Sequence, residues 1–181
     1  GYGSRNMSKA RGAVTSLSDI AWMKLRSPPS PMISRTWETL GTLPVSVAWG
    51  ELYAAIQTGV AEGLESSIPG YSGAKLYEVA PYLALTGHTI QVNHISMSDR
   101  RWGQLTEDQQ QIFLDVAVEA SKLGIERAKF YEEALVSRLQ ADNGVTVTTP
   151  DVAEFQAALV ALRGELATEL DLTSAMAALF P

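Results

Sequence analysis

The stretch TEDQQQIFLDVAVEASKLGIERAKFYEEALVSRLQADNG, Thr106 to Gly144, decides the architecture. Thr106 followed three residues later by Gln109 is a capping box, in which a hydroxyl and an amide satisfy the first free N–H groups of a helix. No proline interrupts the run before Asn143-Gly144, and Gly124 is its only interior glycine. Ile112, Phe113, Val116, Leu123, Tyr131, Leu135 and Leu139 recur at helical spacing. At ~1.5 Å per residue such a helix is more than about 50 Å long. That exceeds the width of a small domain, so the helix bridges two lobes, bends, or joins a partner.

Outward from this helix, short elements alternate. Arg5 to Ser8 and Met23 to Arg26 read as strands, with a turn at Ser16 to Asp19 between them. The prolines of Ser27-Pro28-Pro29-Ser30-Pro31 stop the second strand, because they supply no ladder donors. Met32 to Leu40 is expected as a helix ended at Gly41, Pro44 to Ala48 as a strand, and Gly50 to Thr58 as a helix ended at Gly59. Val60 to Glu65 reads as a strand or extended loop, Ser72 to Tyr82 as a helix, and Tyr82 to Met97 as a long extended run. After the long helix come a strand at Val145 to Thr149, a last helix from Pro150-Asp151 to about Glu169, and a short tail ending in Leu179-Phe180. Strands and helices in alternation predict an α/β sheet with crossover helices.

A chain of 181 residues forms one domain, or two small lobes of a larger one. With 46% hydrophobic and 19% charged residues it is globular rather than disordered. A net charge of −6 leaves no basic footprint for nucleic acid. The apolar stretches are short and interrupted, so no membrane insertion is expected. The absence of cysteine excludes disulfides, thiol catalysis and cysteine-type zinc sites. Residues 1–12, GYGSRNMSKARG, carry neither an initiator methionine nor the apolar core of a signal peptide, and read as the middle of a protein.

Catalytic patterns are weak. Ser72-Gly-Ala-Lys75 has the S-x-x-K spacing of serine acyl-transferases, but no second motif such as K-T-G follows it. A helix start with a solvated lysine is the simpler reading. His88 and His94, the only histidines, share parity on an extended run, yet no H-x-H or H-E-x-x-H spacing supports a metal. One is expected to bond locally and the other to be exposed. Glu51, Glu62 and Glu65 lie near one another in sequence and read as caps and surface groups. No glycine loop cradles a phosphate. The chain is therefore not expected to be an enzyme or to need a cofactor.

A denser pattern runs from Lys24 onward. Lys24-Leu25-Arg26-Ser27-Pro28 is followed by Leu40-Gly41-Thr42-Leu43-Pro44 and then by WGELYAAIQTGVAEG, Trp49 to Gly63. Lys75-Leu76-Tyr77-Glu78-Val79, Tyr82-Leu83-Ala84-Leu85-Thr86-Gly87-His88 and a tryptophan-leucine-threonine-glutamine segment at Trp102 to Gln109 come next. This pattern resembles the DctP-like solute-binding proteins of tripartite ATP-independent periplasmic (TRAP) transporters. Their motifs read K-x-R-x-P, L-G-A-x-P, F-x-E-x-Y-x-A-L-Q-x-G-x-V-D-G-x-E-N and K-F-Y-E-V-x-K-Y-L-x-L-T-x-H.

The resemblance implies a periplasmic-binding-protein-like α/β fold of two lobes spanned by a long helix. This chain would be the C-terminal portion: residues 1–91 the ligand-binding second lobe, 92–131 a segment crossing to the first lobe, and 132–181 the return. It implies a periplasmic protein that captures a small organic acid and hands it to the TRAP membrane permease. A helix-mediated interaction module and a small hydrolase are the alternatives.

The resemblance puts the carboxylate-binding arginine on Arg26. A planar guanidinium suits that task, since it makes two parallel charge-assisted bonds to one carboxylate. The resemblance also puts an aromatic floor on Trp49 and a second arginine on Arg5, and brings Glu65, Ser66 and His88 to the ligand. Two departures stand out. Ser66 replaces an asparagine that bonds the ligand, which predicts more room and a bulkier or less polar ligand body. Trp22 occupies a glycine position within Ser16 to Lys24.

Overall fold

The computed structural model describes residues 3–90 and 94–174. Six strands form one mixed sheet in the order β3-β2-β4-β1-β5-β6. They are β1 (Ser4–Lys9), β2 (Lys24–Ser27), β3 (Leu43–Ser46), β4 (Gly63–Ser67), β5 (Tyr82–Ile90) and β6 (Thr146–Thr148). β2 runs parallel to β3 and β4, whereas β1 is antiparallel to both β4 and β5. The helices are α1 (Pro31–Thr39), α2 (Leu52–Gln57), α3 (Ile68–Gly73), α4 (Asp99–Trp102), α5 (Glu107–Asn143), α6 (Val152–Ala158) and α7 (Val160–Glu169). The α/β reading holds.

Each face of the sheet carries its own core. On one, Leu64 packs with Leu52 and Ile56 of α2, Ile68 and Tyr71 of α3, and Leu139 near the end of α5. On the other, Met7, Leu25 and Ala84 pack with Trp37 of α1 and Phe155 of α6. Adjacent residues of a strand point to opposite faces, so this two-sided core fixes which face every edge residue serves.

The long helix is continuous. Thr106 Oγ1 accepts from Gln109 N–H, and the Gln109 side chain accepts from Thr106 N–H, as the capping box requires. Gly144 ends the helix at φ +66°, a left-handed cap that glycine takes without strain. Its 37 residues extend about 55 Å. Only the C-terminal part joins the body, through Leu135, Val136 and Leu139. Ile112, Phe113, Leu114, Val116, Val118, Leu123 and Phe130 are exposed.

Several expectations need correction. The helix expected at Ser72 to Tyr82 starts earlier, where Ser67 caps it and Pro69 sits in its first turn. It also ends earlier, and Lys75 turns left-handed at φ +52° before a 3₁₀ turn at Leu76–Glu78. Of the extended run expected from Tyr82 to Met97, Tyr82–Ile90 is a strand and His94 to Met97 has no regular structure, while residues 91–93 lie outside the described residues. The last helix is two helices, broken at Leu159. The tail at Leu179-Phe180 lies outside the described residues. Trp22 takes φ +62° and is 78% exposed, which explains why the resemblance has glycine there.

Candidate ligand-binding site

The carboxyl ends of the parallel strands β2, β3 and β4 finish at Ser27, Ser46 and Ser67, along one edge of the sheet. Antiparallel β1 begins at that edge, so Arg5 sits opposite Ser67. Carboxyl edges of parallel strands are where α/β sheets bind ligands, because side chains project there past the end of the ladder. All six candidate residues come to this edge or just beside it, but they divide between the two faces. Arg26 pairs in register with Leu64, so Arg26 and Ser66 share the face covered by α2 and α3. Glu65 pairs with Met7, so Glu65 and Arg5 share the face covered by α1.

On the first face, Arg26 is buried. Its Nε donates to the Val47 carbonyl at 2.8 Å. Its Cζ lies 5.6 Å from the Trp49 ring centroid, within cation–π range. The two terminal amino groups donate no hydrogen bond among the described residues. Burial lowers the Arg26 pKa, and nearby Arg5 lowers it further, while Glu65 opposes them. Arginine still keeps its charge. Trp49 opens a 3₁₀ turn at Trp49–Glu51 and is 46% exposed, so the ring is both a wall for Arg26 and a surface for something else. Gly70 lets this arrangement close up. A Cβ there would stand 2.9 Å from Ser66 Oγ and 3.4 Å from Trp49 Cη2. Ser66 is buried, and its hydroxyl makes no hydrogen bond among the described residues.

On the second face the charges are already paired. Arg5 Nε donates to Glu65 Oε2, and Arg5 Nη2 donates to Oε1 at 2.6 Å. His88 Nε2 lies 3.6 Å from Glu65 Oε2. The other ring nitrogen, Nδ1, shares a 2.8 Å hydrogen bond with Thr86 Oγ1, and the ring packs edge-on to Trp37 at 4.9 Å. Burial raises the Glu65 pKa, but the His88 contact, the Arg5 hydrogen bonds and their charges outweigh it and hold the carboxyl at about 2. Glu65 is therefore an ionised, 1% exposed carboxylate, not the surface group expected from its sequence neighbourhood.

The remaining candidates scatter. His94 is exposed, and no cluster of metal-ligating side chains occurs among the described residues. Glu62 accepts from the Lys24 backbone N–H at 3.0 Å, and Glu51 is exposed. Ser72 and Lys75 share no side-chain hydrogen bond among the described residues, and Lys75 faces solvent. A cavity of about 760 Å³ lies between β1, β5 and α5, away from Arg26. Glu132 and Glu133 on its wall make it unsuited to an anion. Sequence reasoning missed Val47, Gly70, Thr86 and Trp37. The first acts through its carbonyl, which no side-chain pattern reveals. Thr86 was visible as His88's neighbour at i−2.

The model of "Bacterial extracellular solute-binding protein, family 7" matches residues 1–169. A solute-binding protein of Sulfitobacter sp. is 36% identical over 126 residues, covering 70% of this chain and 38% of the relative. The ectoine-binding periplasmic protein TeaA of Halomonas elongata is 32% identical over 145 residues, covering 80% and 42%. The crystal structure of a TRAP periplasmic solute-binding protein from Sulfitobacter sp. with bound β-D-galacturonate superposes with a TM-score of 0.88 at 29% identity. That match covers 96% of this chain and 59% of the other. The chain thus spans less than half the length of these two curated relatives.

Proposed function

From a chain that belongs to bacterial extracellular solute-binding protein family 7, we propose a role in capturing a small organic acid. The acid is held at the Arg26 edge in the periplasm and passed to the membrane permease of a TRAP transporter. One observation carries the reading: Arg26 is buried against Trp49 with its two terminal amino groups unengaged among the described residues. A desolvated guanidinium with free parallel donors is matched by a carboxylate, which accepts two charge-assisted bonds at once. The net charge of −6 repels an anion at long range, so a local cation must supply the attraction.

Relatives support the ligand class, since one binds galacturonate and another ectoine. No helix among the described residues is long and apolar enough to cross a membrane. Residues 1–91 form the ligand wall, 92–131 cross toward a first lobe, and 132–181 return. The exposed apolar front of α5, from Ile112 to Phe130, supports that crossing.

Calorimetry with D-galacturonate tests the reading. Arg26→Ala leaves a bound carboxylate unpaired, costing about 2–5 kcal/mol. That is a loss of roughly thirty-fold to several thousand-fold. Arg26→Lys loses much of the same, because an ammonium makes no parallel pair. An alanine variant within threefold of wild type rules the assignment out.

A further inference from the structure

The long helix carries two apolar faces, and only one of them meets the rest of the described residues. Leu135, Val136 and Leu139 pack on the body. Glu132 accepts from Ser4 of β1 on the same side, and Gln110 Nε2 donates there to the Trp102 carbonyl of α4. At 3.6 residues per turn, Leu114 and Val118 continue that side toward the amino end of the helix. Ile112, Val116, Leu123 and Phe130 do not. They fall within about 40° of one another and roughly 170° from the mean direction of the three packed residues. Their exposures are 61, 55, 54 and 70%. Their steps of four, seven and seven residues are those of a coiled-coil seam. The stripe therefore points away from both β1 and α4, and from the core.

The charges around the stripe decide which helix fits it. Residues 107–121 carry four acidic and no basic side chains, whereas 122–143 carry four of each. A parallel copy would set two acidic halves against each other, while an antiparallel copy sets the acidic half against the mixed one. A two-fold axis through Leu123 also brings opposite charges level. Glu119 and Arg127 lie about one turn to either side of Leu123, so each Arg127 meets the partner's Glu119. Both are exposed, and neither has an ion pair among the described residues. In the same register Val116 meets Phe130, Leu123 meets its own copy, and Asp108 stands level with Arg138.

We propose that this face of α5 is a self-association surface, on which two copies of the chain pair antiparallel about Leu123. Ile112, Val116, Leu123, Phe130 and the flanking Tyr131 each bring about 100 Å² of exposed apolar surface. With the stems of Glu119 and Arg127 the pair buries about 1,200 Å², the lower end for a specific complex. The dimer is therefore weak, with a Kd on the order of 10 μM. The carboxyl edge of β2 takes no part in it, so this pairing and the Arg26 reading stand or fall separately.

Analytical ultracentrifugation of the whole protein over a concentration series reads the pairing. Leu123→Glu sets like charges together on the axis and should weaken dimerisation at least tenfold. Glu119→Arg and Arg127→Glu should each weaken it, and the two together should restore it, because the swap rebuilds both pairs only in this antiparallel register. The chain has no cysteine, so Leu123→Cys should give a disulfide-linked dimer on mild oxidation, whereas Ser121→Cys, on the packed side of the helix, should not. Circular dichroism checks that the variants fold; if a charge variant does not, the Leu123→Cys crosslink decides. A protein still monomeric at about 100 μM overturns the proposal. So does a dimer that folded Leu123→Glu leaves intact, a folded double reversal that restores nothing, or a dimer in which Leu123→Cys forms no crosslink.

Discussion

The two ends of strand β2 break local rules in opposite ways. At its carboxyl end, Arg26 is a buried cation whose terminal donors find no partner among the described residues. Just before its amino end, Trp22 is a large apolar side chain, 78% exposed, on a left-handed backbone that suits glycine. Those terminal nitrogens still touch solvent at the edge, where a partner from outside the chain can complete them. Thus the Arg26 defect has a chemical complement, an anion. The Trp22 defect has none at the binding edge. If that contrast is right, changes at the carboxyl edge alter ligand affinity, whereas a change at Trp22 alters only stability.

The largest effect is expected at Glu65. Removing one member of a buried ion pair strands the other, costing about 3–5 kcal/mol. Glu65→Gln should therefore lower the urea midpoint strongly while Arg5→Gln does the same from the other side. The pH dependence has a definite sign. A carboxyl held at about 2 against an ordinary 4.5 stabilises the fold above pH 4.5, and that contribution is lost as pH falls toward 2. Stability of Glu65→Gln should fall less steeply across this window. Asp19, also held at about 2, by backbone and side-chain hydrogen bonds from Thr15 and Ser16, leaves a residual slope in both proteins. Equal slopes would mean that Glu65 is not ionised in the fold.

Arg26→Ala comes next, and it sharpens the contrast because its loss should fall more on binding than on stability. The chain loses one hydrogen bond to Val47 and one stacking contact, together about 1–2 kcal/mol of stability. A stability loss larger than the affinity loss would make Arg26 a structural residue.

Ser66→Asn has a smaller expected effect, on ranking rather than strength. An amide in place of the hydroxyl adds a donor and fills room beside Gly70 and Trp49. Across a thermal-shift panel of monocarboxylates, the order should change while the carboxylate requirement persists. An unchanged order would remove Ser66 from the ligand wall.

The legible part of the molecule is the part written in local patterns. The capping box at Thr106 and the glycine at 144 bound α5 correctly, because each end is fixed by residues within a turn of it. The strand expected at Met23 to Arg26, and found one residue later at Lys24–Ser27, is legible from the proline run behind it. What depended on distant partners was not. Arg5 and Glu65 are 60 residues apart, and only the β1–β4 register brings them together. Adjacent Glu65 and Ser66 read as one motif, but the pleat sends them to opposite faces of the sheet. The early start of α3 has a local cause: Pro69 in its first turn and Ser67 as its cap begin the helix ahead of Ser72.

Trp22→Gly should give the smallest effect, and it separates the two ends of β2 most cleanly. A non-glycine residue in the left-handed region costs roughly 1–2 kcal/mol. Glycine removes that strain but widens the unfolded ensemble, which returns up to about 1 kcal/mol to the unfolded side. The tryptophan side chain is mostly in solvent, so little packing is lost. The Trp22 N–H bond to the Gly41 carbonyl, at 2.8 Å, belongs to the backbone and survives the change. The net expectation is stabilisation of up to about 1 kcal/mol, or a rise of roughly 2–4 °C in Tm for a chain of this size. Affinity for a carboxylate ligand should be unchanged, since Trp22 precedes the amino end of β2 and Arg26 lies near its carboxyl end. A fall in stability would mean that the exposed ring is held by contacts that outweigh its backbone strain. A change in affinity would show that the two ends of the strand are coupled, and the contrast between them would fail.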